Sequence, residues 1–259
     1  MLPRAPFQPA SDRVISAVSL NLAKETDSNT VVGAIRNVLR LRDADLFLFQ
    51  ADLFLFQEVA NEKSNLSVAE KVTCGLGHFV VFEQAAPRVY DQGLAVVSRY
   101  ALDDVNIKRL KTCDLQFRCR SRFAIAAAVR TPWRDLRVWN AHLDTRINTE
   151  ERVEQLQPVI DEAARYTGPR LIGGDFNTNE LYWWRNMIPL PTGSSHGTAI
   201  RKAMKQHGFE TPFSGALNTF PALRRQLDWI FVCDLIPLEA SVEFVPFSDH
   251  NAIWMRFRF

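Results

Sequence analysis

The stretch RLIGGDFN, residues 170–177, passes from an apolar run to polar residues within a few positions. Leu171 and Ile172 predict a buried strand, and Asp175 and Asn177 follow in a polar loop where that strand ends. Loops at strand ends are where α/β proteins place binding and catalytic residues. The stretch therefore predicts a strand of a sheet and a polar site at its end.

Five further strand boundaries carry polar residues of the same kind. Singly, each residue is explained as a turn former, a helix cap or a hydrogen-bonded core side chain. Six such boundaries in one chain instead indicate a shared site. The other five are SLNLA (19–23) with Asn21, FQEVA (56–60) with Glu58, WNAHLDT (139–145) with His142, LDWIFV (227–232) with Asp228, and FSDHNAIW (247–254) with Asp249 and His250.

Apolar periodicity predicts an α/β protein. Helical spacing covers residues 28–42 and 148–166, with Pro158 interrupting the second helix. Strand patterns alternate with these helices and include both continuous apolar runs and hairpin-like pairs, so we expect parallel and antiparallel neighbours. The predicted strands lie within residues 13–23, 53–58, 78–84, 93–100, 122–130, 136–144, 170–177, 226–232, 241–247 and 251–259.

The heptapeptide ADLFLFQ occurs twice in succession, at 44–50 and 51–57. In a strand, an odd insertion moves every apolar side chain to the opposite face, whereas in a helix seven residues nearly complete two turns. An insertion is thus absorbed more easily on the helix side. We expect the second copy to be the core strand that leads into Gln57 and Glu58, and the first to extend the preceding helix or loop.

The composition limits the possible functions but does not identify one. The chain has 259 residues, 47% of them hydrophobic, and no linker-like segment, so we expect an extension over 1–12 and one domain over 13–259. With 31 Lys+Arg against 29 Asp+Glu, any binding of phosphate must be local. The four cysteines form no CxxC pair, which argues against zinc. The absence of a signal-like or membrane-spanning apolar segment predicts a cytoplasmic protein, and we expect a monomer.

The chemistry of the strand-end residues is coherent. Carboxylate and amide oxygens are hard ligands that suit Mg²⁺, with Mn²⁺ as a substitute. Two histidines among spare aspartates offer pairs of a base and the group that orients it. Hydrolysis of a phosphodiester needs such a set: a metal ion, a base for water, and donors for the developing charge.

The order of these motifs, N…QE…H-x-D…GDFN…D-x-I…SDH, resembles that of the endonuclease/exonuclease/phosphatase superfamily, which is deoxyribonuclease I-like, over residues 14–258. The resemblance implies a four-layer α/β/β/α sandwich of two packed mixed β-sheets flanked by helices. It also implies a metal-dependent phosphoric ester hydrolase. The pairing of GGDFN with SDH at 248–250 is its most specific part.

By this resemblance, Glu58 is the principal metal ligand, with Asn21 beside it and Asp249 close enough to share the ion. His250 is then the general base or the residue that polarises the attacking water, and Asp228 orients it.

The remaining roles concern water and the phosphate. Asp175 positions the water or a second metal, Asn177 donates to a phosphate oxygen, and His142 binds the phosphate. Asp91 is a looser match that either orients His142 or is a turn residue.

Two departures from the pattern bear on specificity. Abasic-site endonucleases carry an acidic residue two places after the first Asn, where this chain has Ala23, and their active-site tyrosine has no counterpart. Both argue against a specialised abasic-site enzyme and leave the hydrolytic residues in place.

Two stretches of the sequence bear on which class of substrate the protein binds. In residues 108–123, Arg118, Arg120 and Arg122 alternate with other residues and would share one face of a strand, where they either bind substrate phosphates or protect an edge strand by charge. Residues Tyr182 to Trp184 would stack bases, lie at a lipid interface, or pack beneath the site.

Three functions follow from these readings. The first is a nuclease that acts on DNA or RNA. The second is a lipid phosphodiesterase, sphingomyelinase-like, or an inositol-phosphate phosphatase, favoured if the Tyr-Trp-Trp cluster is exposed. The third, a non-catalytic binding module, predicts losses among the site residues that the sequence does not show.

Overall fold

The protein is described by a computed structural model over residues 13–40, 51–60, 66–76, 78–84, 92–113 and 122–259, with backbone alone for 35–40, 75–76 and 92. Two mixed β-sheets pack face to face in this part of the chain, and helices cover their outer faces. The predicted four-layer α/β/β/α sandwich is therefore confirmed.

The first sheet has six strands, and its middle pair, the first two in sequence, is parallel while every other neighbouring pair is antiparallel. In spatial order the strands are β12 (Ile236–Glu243), β13 (Ala252–Arg258), β1 (Val14–Asn21), β2 (Leu53–Ala60), β4 (Gln92–Ser98) and β3 (Phe79–Gln84).

The second sheet has five strands and again a single parallel pair, β7 with β8. A separate two-stranded hairpin follows β8. In spatial order the five strands are β11 (Asp228–Cys233), β8 (Arg170–Asp175), β7 (Asp135–His142), β6 (Phe123–Arg130) and β5 (Leu102–Arg109); the hairpin strands are β9 (Leu181–Trp184) and β10 (Ile188–Pro191).

Four α-helices of the described residues form the outer layers. Apolar residues of α1 and α2 pack on the outer face of the first sheet, and those of α3 and α4 pack on the second. None of the helices in the described ranges combines the length and the apolar character needed to cross a bilayer. The helices are α1 (Ser28–Arg40), α2 (Val68–Leu76), α3 (Thr149–Arg165) and α4 (His196–Gln206), with a 3-10 turn at Pro221–Leu223.

The second copy of the repeated heptapeptide forms the core strand, as predicted. Leu53 and Leu55 of β2 face the core between the sheets, whereas Phe54 and Phe56 face α1 and α2. Both faces of β2 are buried because helices cover one side and the second sheet covers the other. The first copy, residues 44–50, lies outside the described residues.

The two parallel pairs bring the polar strand ends to one edge of the sandwich. β1, β2, β7 and β8 all end there, whereas the antiparallel strands β11 and β13 begin there. The register pairs Asp175 with His142 on one side and with Asp228 on the other, and it pairs Asn21 with Gln57. Strand register thus brings together three of the predicted polar boundaries in the second sheet and two in the first. Packing of the sheets joins these two groups, and the sixth boundary precedes β13.

Two glycines allow the close packing just before this edge. A Cβ on Gly173 would lie 2.7 Å from Cδ1 of Leu55 in the other sheet. Gly174 has φ +139°, and a Cβ there would lie 1.9 Å from the carbonyl oxygen of Ala141. At position 174, only glycine allows both the positive φ and the close contact with Ala141. At position 173, the absent Cβ lets the end of β8, and with it Asp175, approach the first sheet closely.

Candidate active site

Asn21 joins the two sheets at the site. Its Nδ2 donates to Oδ2 of Asp175 over 3.0 Å, and its Oδ1 accepts the backbone N–H of Ala23. Its carbonyl oxygen accepts the hydroxyl of Ser248, whose oxygen in turn accepts the backbone N–H of His250. The SDH segment is therefore held against the end of β1.

Asp175 is the centre of the cluster. It is 1% exposed, and its Oδ1 accepts the backbone N–H of Asn177 at 2.8 Å. Its Oδ2 lies 3.5 Å from Nε2 of His142 and 3.9 Å from Nε2 of His250. Burial, followed by the charge of Asp228, raises the pKa of the Asp175 carboxyl well above its usual range.

His250 and Asp228 form a buried pair. Nδ1 of His250 lies 2.9 Å from Oδ2 of Asp228, and the ring of Phe220 packs edge-on against the imidazole. Burial by itself lowers the pKa of His250, but the carboxylates of Asp228 and Asp175 outweigh it and raise that pKa above its ordinary value. The other carboxylate oxygen of Asp228, Oδ1, is buried with no hydrogen-bond partner in the described part of the chain.

Asn177 is held in an unusual backbone conformation. Its φ is +51°, in the left-handed region that asparagine tolerates better than most residues. Its Nδ2 donates to the carbonyl oxygen of Leu143, which directly follows His142. An amide NH₂ carries two hydrogens, so this bond fixes the side chain and employs one of them.

Glu58 directly follows Gln57, the residue that pairs with Asn21, and its side chain is partly exposed. Its φ of +50° coincides with a bulge in the pairing of β2 with β4, which turns the chain out of the regular strand. Its Oε2 lies 4.0 Å from Nζ of Lys24, and its carbonyl oxygen accepts the backbone N–H of that lysine. Asp249 is exposed, and its charge contributes to the raised pKa of His250.

Asp175, Asp228 and His250 form a group that could hold a metal ion. One potential ligand atom from each lies within 4.8 Å of the others, and all three side chains are buried.

The model of the endonuclease/exonuclease/phosphatase family matches residues 18–250, most of the chain. The chain belongs to this family. Its members are hydrolases that act on phosphoester bonds.

Individual relatives are distant. A UPF0294 protein of Yersinia pseudotuberculosis is 29% identical over 124 residues, which is 48% of this chain and 43% of that protein. The chain thus matches less than half the length of the curated relatives.

Solved structures agree in fold. An endonuclease/exonuclease/phosphatase of Beutenbergia cavernae has a TM-score of 0.71 at 18% identity, over 95% of this chain and 72% of that one. The human Nocturnin catalytic domain with bound sulfate has a TM-score of 0.65 at 17% identity, over 95% and 94% of the two chains.

Of the predicted arginine row and Asp91, only Arg122 lies within the described residues. Arg122 directly precedes β6, and its Nε donates to Oδ1 of Asp144 at 2.8 Å. Since β6 begins at the edge where β7 ends, Arg122 lies on the same side of the sandwich as His142. Asp91, Arg118 and Arg120 lie outside the described residues.

Sequence reasoning missed Arg152, which holds two loops of the family's site in place. It is fully buried in α3 and donates five hydrogen bonds, the full capacity of a guanidinium. A signal was present: Arg152 occupies the apolar face of α3, in line with Leu156 and Val159. Its acceptors are the carbonyl oxygens of Asp144, Thr145, Ile147 and Phe176 and Nδ1 of His196.

His196 was also missed, since no motif surrounds it. It is buried at the start of α4, and its Nδ1 accepts the Nε–H of Arg152 at 3.2 Å. Burial and then the charge of Arg152 lower the pKa of His196 to about 4. The ring is therefore neutral at pH 7 and serves as an acceptor.

Proposed function

We propose that the protein is a Mg²⁺-dependent phosphodiester hydrolase, with Mn²⁺ as a substitute, and that its substrate is a nucleic acid. The observation that carries this proposal is the convergence of Asn21, His142 and His250 on the buried carboxylate of Asp175. A buried acid between two histidines fits the family's hydrolytic chemistry.

Glu58, with Asn21 and Asp249, would hold the metal. These residues offer hard oxygen donors, and Glu58 is partly exposed and Asp249 exposed, so an ion can reach both. Asp175, Asp228 and His250 are a second group that could hold a cation, and the carboxylates that raise the pKa of His250 favour its protonated form when no ion is bound. When bound, the ion would supply positive charge at a phosphoryl oxygen.

His250 and Asp175 would have separate roles, one as a hydrogen-bond donor and the other as a proton acceptor. Asp228 fixes the His250 ring through Nδ1 and keeps it protonated, so its Nε2 is a donor toward the phosphoryl group. A protonated ring does not fit the general-base role expected for His250, and donation to the phosphoryl group is distinct from the expected polarisation of the attacking water. Asp175, whose raised pKa makes it a stronger base than an ordinary carboxylate, would accept the proton of the attacking water.

The remaining donors would stabilise charge on the phosphorus oxygens. His142 reaches Asp175 through Nε2, and Asn177 is fixed by the Leu143 carbonyl. As water attacks, the bond from phosphorus to the leaving oxygen breaks in line, and negative charge grows on the oxygens that these side chains face. Such stabilisation requires donors that are already held in position, and neighbouring carbonyl and carboxylate groups hold these side chains.

Nucleic acid is the proposed substrate because an arginine lies at the same edge. Arg122 is placed beside the end of β7 that carries His142. Guanidinium groups bind phosphates in a bidentate manner, so Arg122 could contact a neighbouring phosphate of the same strand.

The test is cleavage of supercoiled plasmid and of a labelled single-stranded oligonucleotide, with Mg²⁺ or with EDTA. Wild-type protein should nick or degrade them only with the metal, and Asp175→Asn and His250→Ala should each lower the rate by at least about a hundredfold. Asp161→Asn, an exposed carboxylate of α3, is the matched control and should retain the rate. Cleavage in EDTA, or full activity of His250→Ala, would refute the proposal.

A lipid phosphodiesterase or an inositol-phosphate phosphatase is the second candidate, and one observation favours it. Tyr182 and Trp184 are 46% and 45% exposed, which is the condition under which a lipid interface was expected. Release of phosphocholine from mixed vesicles, or of phosphate from inositol phosphates, by protein that leaves nucleic acids intact would establish it.

A further inference from the structure

The β9–β10 hairpin presents an apolar face that is not covered by the described residues. Cross-strand pairing sets Tyr182 opposite Leu190 and Trp184 opposite Ile188, and all four side chains share one face. Their exposed fractions are 46%, 43%, 45% and 43%, respectively. A small protein rarely leaves such a contiguous set in water without a use for it.

This hairpin is fixed relative to the candidate active site. It begins four residues after Asn177, and Oδ1 of Asn148 accepts the backbone N–H of Trp183 at 2.7 Å. At the turn, Nδ2 of Asn186 donates to the carbonyl oxygen of Arg146. Asn148 and Arg146 belong to the loop that follows His142, so the apolar face is held beside that loop.

A positive charge lies on the apolar face of the hairpin. The guanidinium carbon of exposed Arg185 lies 4.9 Å from the centre of the Trp184 ring. In sequence, residues 181–209 contain no Asp or Glu, while Arg201, Lys202 and Lys205 of the following helix are exposed. Arg185 thus gives the apolar face a charge that is complementary to an anionic surface.

We propose that the hairpin docks the protein on an anionic lipid bilayer. Tyr and Trp side chains favour the boundary between headgroups and acyl chains, aliphatic side chains enter the apolar layer, and arginines at the margin bind lipid phosphates. Ile188 and Leu190 form half of the face and have no ring on which a base could stack. This composition favours lipid over nucleic acid as the occupant.

Docking goes beyond the proposed function, because attachment to a bilayer does not depend on which bond the site hydrolyses. It places the loop after His142 and the hairpin on the same surface, so a docked protein would hold that loop close to the bilayer.

The experiment is sedimentation with sucrose-loaded vesicles in EDTA, which separates docking from hydrolysis. One set of vesicles contains phosphatidylglycerol and phosphatidylcholine, and the other contains phosphatidylcholine alone. Wild-type protein should pellet with the anionic set, and Tyr182→Ser/Trp184→Ser should lower the bound-to-free ratio by about tenfold or more. Arg185→Gln should weaken the preference for anionic vesicles.

Ile236→Ser/Leu238→Ser is the matched control, because these residues are 52% and 47% exposed and β12 begins at the opposite end of the first sheet. It should bind like the wild type, and the melting temperatures of all variants should confirm folding. Three outcomes would overturn the proposal: wild-type protein that stays in the supernatant, an equal loss in the control, or a hairpin variant that loses oligonucleotide binding but keeps vesicle binding.

Discussion

At the scale of single residues, Asp175 is where the separate parts of the candidate site meet. Its two oxygens are shared among an amide, a backbone N–H and two imidazoles. Groups that interact this closely do not titrate or contribute independently. Substitutions of Asp175 and His250 should therefore combine to less than the product of their separate effects on rate.

Asp228→Asn tests whether the charge on His250 matters. Because carboxylates raise the pKa of His250, its ring stays protonated up to that raised value, and activity that needs the proton declines as pH rises through it. Removing the charge of Asp228 lowers this pKa, so the alkaline limb of the pH–rate profile should move to lower pH. Asp161→Asn should leave the profile in place. An unmoved limb in Asp228→Asn would remove protonated His250 from the mechanism.

Arg152→Met tests the buried guanidinium. The substitution leaves four carbonyl oxygens and the Nδ1 of His196 without their donors, so the free energy of unfolding should fall by about 3 kcal/mol or more. Urea denaturation measures this change. Arg165→Met, at an exposed position of the same helix, is the control and should cost much less. A loss equal to that of the control would show that the five bonds contribute little.

At the scale of elements, equivalent substitutions in the two copies of the heptapeptide allow their contributions to stability to be compared. Deleting either copy yields the same chain, so only substitution distinguishes them. Leu55 is fully buried between the sheets, and Leu55→Ala should cost about 3 kcal/mol. Leu48→Ala is the equivalent change in the first copy and should cost under about 1 kcal/mol. Equal costs in denaturation would mean that both copies contribute to the core.

Pro158 shows where a sequence rule was too strict. An interruption of α3 was expected, yet the helix runs from Thr149 to Arg165 with the proline inside it. Proline cannot donate to the carbonyl of Glu154, four residues earlier. Since Glu154 lies on the exposed face, water can satisfy that carbonyl. A proline is tolerated in a helix when the bond it removes faces solvent.

The missed elements share a physical reason. β5 reads LDDVNIKR and is mostly exposed, so it has no apolar alternation and exists because β6 offers it an edge. The β9–β10 hairpin was not predicted as strands, and the sequence left open whether Tyr182 to Trp184 stack on bases, lie at a lipid interface or pack beneath the site. Exposure depends on what packs nearby, which a local pattern does not contain.

The grouping of the candidate site residues at one edge could be predicted because they occupy strand ends, and strand ends are visible in the sequence. Which ends become neighbours is set by sheet order and register, so the pairing of Asp175 with both His142 and Asp228 needed the structure. Arg152 was not predicted, for a different reason. Charged residues on helices are usually solvated, and only tertiary packing gives this one five acceptors.

At the scale of the whole molecule, a bound metal should stabilise the fold. An ion that binds only the folded state adds about 2.7 kcal/mol at a hundred times its dissociation constant. Mg²⁺ should therefore raise the melting temperature of the wild-type protein, and Glu58→Gln should need more Mg²⁺ for the same shift. Glu210→Gln, an exposed carboxylate elsewhere, is the control. A Mg²⁺ dependence unchanged by Glu58→Gln would exclude Glu58 as a ligand.

The pairing of β1 with β13 has a consequence for biosynthesis. Val14 lies opposite Arg258, so neighbours in the first sheet are separated by most of the sequence. A ribosome must translate through β13 before β1 can gain this neighbour, and His250 is translated only shortly before. A nascent polypeptide that has completed both parallel pairs thus has His142 beside Asp175 but still lacks His250. The buried pair of Asp228 and His250 therefore cannot form until translation has passed this point.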